Sequence, residues 1–148
     1  MKNNFETEYA AAKKIEAKYL AAREADNGPA MDAARAERQR FIDGINARGE
    51  DYARMFQRYK EARERGNEYI DLNDVIWDNQ VEGLIETFRR LGIEKFTFSS
   101  GWSDAVKTAW LFLENGCTPE GMTEINTGYK PFMASEYEKA PAWIFKVN

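Results

Sequence analysis

Histidine is missing from this chain altogether, and one cysteine occurs in 148 residues. The first absence removes every Ser-His and Cys-His nucleophile arrangement, and the two together remove the common zinc sites that draw on His or several Cys ligands. A single cysteine also excludes an internal disulfide. Cys117 follows Gly116 and precedes Thr118-Pro119, so it reads as a small half-buried residue entering a strand, not as an activated thiol with a basic partner. Apolar runs are short. The longest, Ala109 to Leu113, falls far below the length that spans a bilayer. The first residues, Met1-Lys2-Asn3-Asn4-Phe5-Glu6, hold no apolar signal-peptide core, so the expectation is a cytoplasmic protein. Phosphate-loop and dinucleotide glycine patterns are lacking too, so the expectation is no cofactor, no metal and no catalytic residue: a binding protein, not an enzyme.

What is present suffices for a packed core. The chain is 43% apolar and 14% aromatic, and its length is that of one domain. Asp71–Leu113 is the organising stretch and reads helix, strand, helix. Trp77, Val81, Leu84, Phe88 and Leu91 recur at spacings of 4, 3, 4 and 3 with Ile85 beside them, one buried helical stripe that Gly92 ends. Phe96-Thr97-Phe98 is a short strand, Ser103 a cap, and the next helix is expected to bury Trp102, Val106, Ala109, Trp110 and Leu113 before Gly116 closes it.

Upstream, Phe5, Tyr9, Ala12, Ile15, Tyr19 and Ala22 make an amphipathic helix, with Asn3 and Glu6 as a capping pair. Asp26-Asn27-Gly28-Pro29 breaks the chain, and a second helix starts near Ala30. The seam Met31, Ala34, Arg38, Phe41, Ile45, Arg48, Tyr52, Met55, Tyr59, Ala62 keeps a 3,4 alternation, which favours one long, bent helix over two, with Gly49-Glu50-Asp51 as the place where it would split. Downstream, Met122–Thr127 and Ala142–Val147 read as strands. The fold class is therefore α+β: a coiled-coil-like helical hairpin over residues 1–66, then a compact α-β-α-β-β domain over 67–148. Its sheet is three-stranded and mixed, with the first two strands parallel and the last two paired as a hairpin.

Charge divides unevenly. Residues 29–65 hold 9 basic and 7 acidic side chains, whereas 66–148 hold 7 and 13. Asp71, Asp74, Asp78, Glu82 and Glu86 repeat at 3 and then 4, and like charges at that spacing cost a few tenths of a kcal/mol per pair in a helix. A solvated face is the plainer reading; a carboxylate row presented to a basic protein partner is the functional one, and a metal site from Asp74, Asp78 and Glu82 lacks ligands converging from elsewhere. Ser99, Ser100, Gly101 and Ser103 lie between strand and helix, where an anion could sit, although a plain turn explains them. Arg54, Arg58, Lys60, Arg63 and Arg65 could contact a nucleic-acid backbone, but Glu61 and Glu64 interleave and the net charge is −4. A homodimer through the N-terminal helices is a further option.

The segments Asp71-Leu72-Asn73-Asp74-Val75-Ile76-Trp77, Lys95-Phe96-Thr97-Phe98-Ser99-Ser100, Glu120-Gly121-Met122-Thr123-Glu124-Ile125-Asn126 and Pro141-Ala142-Trp143-Ile144 resemble small uncharacterised accessory proteins carried by phages, plasmids and conjugative elements of gut Firmicutes. The resemblance covers about half the chain and leaves the helical hairpin outside. It implies an accessory protein of a mobile element, a class that includes anti-CRISPR proteins, inhibitors that bind a CRISPR–Cas nuclease without chemistry. It assigns no functional residue.

Overall fold

The computed structural model describes residues 4–148, Asn4 by its backbone alone. The expected Asn3–Glu6 capping pair falls on Asn3, outside the described residues. The chain divides into two compact units, 1–53 and 54–148.

In the first unit, α1 (Asn4–Glu24) and α2 (Gly28–Asn46) form an antiparallel hairpin. The direction follows from their cross-links: Lys18 pairs with Glu37 at 3.1 Å, Arg35 donates to the Tyr19 hydroxyl, and Arg48, just past α2, meets Glu8 at 2.9 Å. Partner numbers rise along one segment as they fall along the other. Phe5, Ile15, Ala22, Ala34 and Ile45 are the buried positions of the pair. The stop between the helices is Asp26, in left-handed conformation at φ 51°, and Asn27 caps α2 by accepting from the Ala30 N–H at 3.1 Å. Gly28 is thus the first helical residue, and the left-handed stop falls two residues before it.

The single bent helix expected after Ala30 is two. Helix α3 (Glu50–Arg65) restarts after Gly49, whose φ of 108° no L-residue holds without strain. Glu50 and Asp51 then fill its first turn, where the partial positive charge of exposed N–H groups favours carboxylates. The hydrophobic period runs on through this break, which is why periodicity alone favoured continuity.

In the second unit the sheet has four strands, not three: β1 (Ile70–Leu72), β2 (Lys95–Phe98), β3 (Cys117–Asn126) and β4 (Lys139–Val147), in the order β1-β2-β4-β3. The missed strand is β1. Ile70, Asp71 and Leu72 alternate apolar and polar, and β1 pairs parallel to β2 through Ile70↔Phe96 and Leu72↔Phe98. Helix α4 (Val81–Leu91), preceded by a 3₁₀ turn at Asp78–Gln80, is the crossover between them, so it begins ten residues later than the acidic spacing suggested. Strands β2 and β3 point the same way but do not touch, because β4 lies between them, antiparallel to both.

Helices α4 and α5 (Ala105–Glu114) cover one face of the sheet. Phe96 stacks on Phe88 at 5.0 Å and on Phe145 at 5.5 Å, while Phe112 meets Phe96, Phe98 and Phe145 edge-on at 5.1–5.3 Å. Five aromatic rings in offset and edge contacts centre this core. Val81, Leu84, Ile85, Phe88 and Leu91 are buried as expected, but Trp77 is 60% exposed because it precedes the 3₁₀ turn. Cys117, first residue of β3, is buried, and burial pushes its thiol up to about 11.

Candidate functional site: an exposed hairpin tip and a two-faced helix

The five acidic positions do not form one helix face. Asp71 lies in β1, opposite Thr97 and on the sheet face away from the phenylalanines. It is buried: its two carboxylate oxygens accept from Thr97 Oγ1 at 2.7 Å and Ser99 Oγ at 2.5 Å. Burial pushes its carboxyl above the usual range, against the lowering effect of Ser99, Thr97 and the nearby Arg65 and Arg58 charges. Asp74 lies in the following loop and pairs with Arg58. Asp78, Glu82 and Glu86 do share the outward side of the 3₁₀ turn and α4, yet Asp78 holds Lys107 at 2.7 Å and Glu86 holds Arg89 at 2.7 Å. Among the described residues no His/Cys/Asp/Glu group is placed to hold a metal ion.

The serine turn is similarly occupied. Ser99 donates to Asp71, which puts a carboxylate where an anion would need donors. Ser100 Oγ accepts from the Trp102 N–H at 3.3 Å, and Gly101 and Ser103 are exposed. Asp104, not Ser103, precedes the first turn of α5, with no side-chain cap bond. In the arginine group, Arg58 is shared between Glu61 and Asp74, and Arg65 lies 3.7 Å from Glu61. The Arg65 guanidinium also fills the space where Gly128 would carry a side chain, 2.6 Å from an ideal Cβ. Arg63 donates to the Tyr59 hydroxyl at 3.1 Å, and Arg54 and Lys60 are half-buried. This face of α3 is an ion-paired surface more than a row of free cations. A cleft of about 430 Å³ opens beside Asn67, Tyr69, Thr97, Thr123 and Ile125, but its amides are tied to one another: Asn67 and Asn126 exchange two hydrogen bonds and Lys139 donates to Asn126.

Two surfaces that periodicity did not reveal stand out instead. The first is α5. Thr108 and Phe112 face the sheet, whereas Val106 is 84% exposed, Trp110 55% and Leu113 44%, and Trp102, in the turn before the helix, is 49% exposed. The expected buried stripe is thus the outer face. The helix carries apolar residues on both sides, and the pattern alone cannot tell which side meets the sheet. The second surface is the loop 127–138 joining β3 to β4. It is internally tied: Thr127 N–H donates to Glu138 O at 2.8 Å, Glu138 N–H to Tyr129 O at 2.9 Å, and Ala134 N–H to Pro131 O at 2.9 Å. Lys130 sits 4.7 Å over the Tyr137 ring. At its tip the turn Pro131–Ala134 presents Phe132, 93% exposed, and Met133, 90% exposed, the latter at φ 62°. The signal legible in advance was two large apolar residues between Pro131 and Ser135 in an otherwise polar loop.

Residues 54–147 match the family model described as "Domain of unknown function (DUF7698)", and the chain belongs to that family. The match coincides with the second unit and contains α4, α5 and the hairpin tip. Neither the curated proteins nor the solved structures yield a match.

Proposed function

We propose that this member of the family is a non-catalytic protein-binding protein whose recognition element is the β3–β4 hairpin tip. One observation carries the reading. A turn with left-handed backbone at its third residue favours glycine, yet Met133 occupies that position with its side chain almost wholly in water. The left-handed conformation costs an L-residue about 1 kcal/mol, and no burial within the protein offsets it. An apolar pocket on a partner would, for Met133 and Phe132 together. The loop's internal hydrogen bonds hold the tip in one shape, which lowers the ordering cost of docking.

Asp78, Glu82 and Glu86, on the outward side of α4, are the remaining acidic contribution to a basic partner, through rate of encounter more than affinity. Among the described residues no helix is long and apolar enough to cross a membrane. The partner to test first is the one implied by the mobile-element resemblance, a CRISPR–Cas nuclease. Co-purification of the full chain with candidate effectors is the measurement, repeated with Phe132→Ser and Met133→Gly. A loss of at least tenfold in affinity from either variant, with circular dichroism unchanged, is expected. Tip variants that bind as the wild type does would remove the hairpin from the interface, and a clear thermal shift with nucleotide and Mg²⁺ would favour an enzyme instead.

A further inference from the structure

Strand β3 forms a free edge of the sheet, with β4 on one side and no strand on the other. In an antiparallel ladder, residues alternate between those that bond their neighbour and those whose N–H and C=O point away from it. Thr127 N–H donates to Glu138 O, one step along the register from the Asn126↔Lys139 pair. Thr123 and Ile125 therefore bond β4, whereas Met122, Glu124 and Asn126 point outward. The Asn126 rung is already occupied. Its C=O accepts from Asn67 Nδ2 at 3.0 Å and its N–H donates to Asn67 Oδ1 at 2.8 Å, so a side-chain amide stands where the peptide group of an added strand would. At the other end Pro119 has no N–H to offer, and the ladder is interrupted between Pro119 and Met122, with Gly121 at φ 109°. Among the described residues, the outward groups of Met122 and Glu124 meet only the Thr123 hydroxyl, 3.5 Å from Glu124 O.

We infer, on the reading of the chain as a protein-binding protein but not on its hairpin tip, that this window takes an extended segment of a partner protein. The segment adds to the sheet beside β3 and carries a lysine or arginine. Met122 and Glu124 each supply a donor and an acceptor for main-chain bonds, the source of affinity in strand addition. Charge selects the segment. Glu68 and Glu124 are exposed, line the same cleft of about 430 Å³ and form no ion pair among the described residues, whereas Lys139, the cation of that cleft, is bound to Asn126. A basic side chain is their complement, and Tyr69, which lines the cleft too, offers it a ring. Met122, 55% exposed and paired in register with the exposed Trp143, adds an apolar contact. The same features exclude the β3 of a second copy. That strand offers Glu120 and Glu124 and no base, and the Asn67 cap stops a strand of its length from running on past Glu124.

Amide hydrogen exchange followed by NMR on the full chain tests this, with acetylated and amidated Val-Lys-Val-Lys-Val as the probe. In the free protein the Met122 and Glu124 N–H groups should exchange at least about tenfold faster than those of Thr123, Ile125 and Asn126. With the peptide in excess they should slow by about tenfold. The same peptide with Glu in place of Lys, and a fully N-methylated one, should each bind at least about tenfold more weakly. Glu124→Pro deletes an outward donor at an edge position that tolerates proline and should abolish binding; Glu124→Gln, which keeps the donor, should weaken it less. Phe132→Ser should leave the peptide response unaltered while it impairs partner binding, so the hairpin reading and this one fail separately. Unchanged exchange at Met122 and Glu124 under peptide excess would overturn the inference. So would equal binding of the N-methylated peptide, which would make the contact one of side chains alone. Protection of both amides by raising the protein concentration alone would overturn it as well, by making the occupant a second copy.

Discussion

Helices α4 and α5 lie on the same face of the same sheet and use their apolar residues in opposite ways. In α4, Val81, Leu84, Ile85, Phe88 and Leu91 all point inward, and Glu82, Glu86 and Arg89 occupy the outside. In α5, only Thr108 and Phe112 are buried, and Trp110 stands half in solvent, as does Trp102 just before the helix. A four-stranded sheet with a three-residue edge strand has limited area to cover. Helix α4 buries a whole side against it, whereas α5 enters through Phe112, whose ring touches Phe96, Phe98 and Phe145. The lesson of the contrast is that helical spacing names an apolar face without saying whether the sheet has room to cover it.

The comparison can be broken at its strongest point first. Phe88→Ala and Phe112→Ala, each truncating a fully buried ring against Phe96, are expected to cost about 3–5 kcal/mol, read from urea midpoints. A loss below about 1 kcal/mol would show that the ring cluster is not the core. Next is a buried ionisable group in the first turn of α3, where burial first and then Glu8 push the Tyr52 hydroxyl up to about 12 from 10.0, against Arg48. The raised value favours the neutral phenol in the folded state. Its contribution is therefore complete below pH 10 and lost as pH rises toward 12, an expected decline of up to about 2 kcal/mol. Tyr52→Phe should remove that part of the alkaline slope. Met133→Gly, on the exposed side of the contrast, should raise stability by up to about 1 kcal/mol while weakening partner binding, since it relieves the left-handed backbone and deletes the side chain. The smallest effect is Val106→Ser, which should change stability by less than about 0.5 kcal/mol. A larger loss would mean that α5's outer face is packed within the monomer.

Much of the second unit was legible where one face of an element was unambiguously apolar. The inward set of α4, the Gly92 stop, the Phe96-Thr97-Phe98 strand and the hairpin of the last two strands follow from spacing and turn chemistry. Strand β1 was hidden because Asp71 fits a helical row of acids as well as it fits an alternating strand, and three residues are too few for the period to decide. The orientation of α5 was hidden because both its sides are apolar. The placement of β4 between β2 and β3 is a matter of long-range pairing that no local pattern encodes. Of the candidate site residues, Asp78, Glu82 and Glu86 face outward as expected, whereas Asp71 is inside and Asp74 is bound to Arg58. The hairpin tip went unread because exposed apolar residues in a loop carry no periodicity.

The strand order also constrains the sequence of events during folding. Because β2 and β3 each pair with β4 and not with each other, residues 95–126 cannot complete their share of the sheet until residues 139–147 have been synthesised. Until then Phe96 and Phe112 lack their contacts with Phe145, and β2 has only the three residues of β1 for a neighbour. A nascent chain halted short of β4 would leave both β2 and β3 with open edges, a state that holdase chaperones and proteases recognise. Strand β4 is the one that closes the sheet, so completion of this unit awaits residues 139–147.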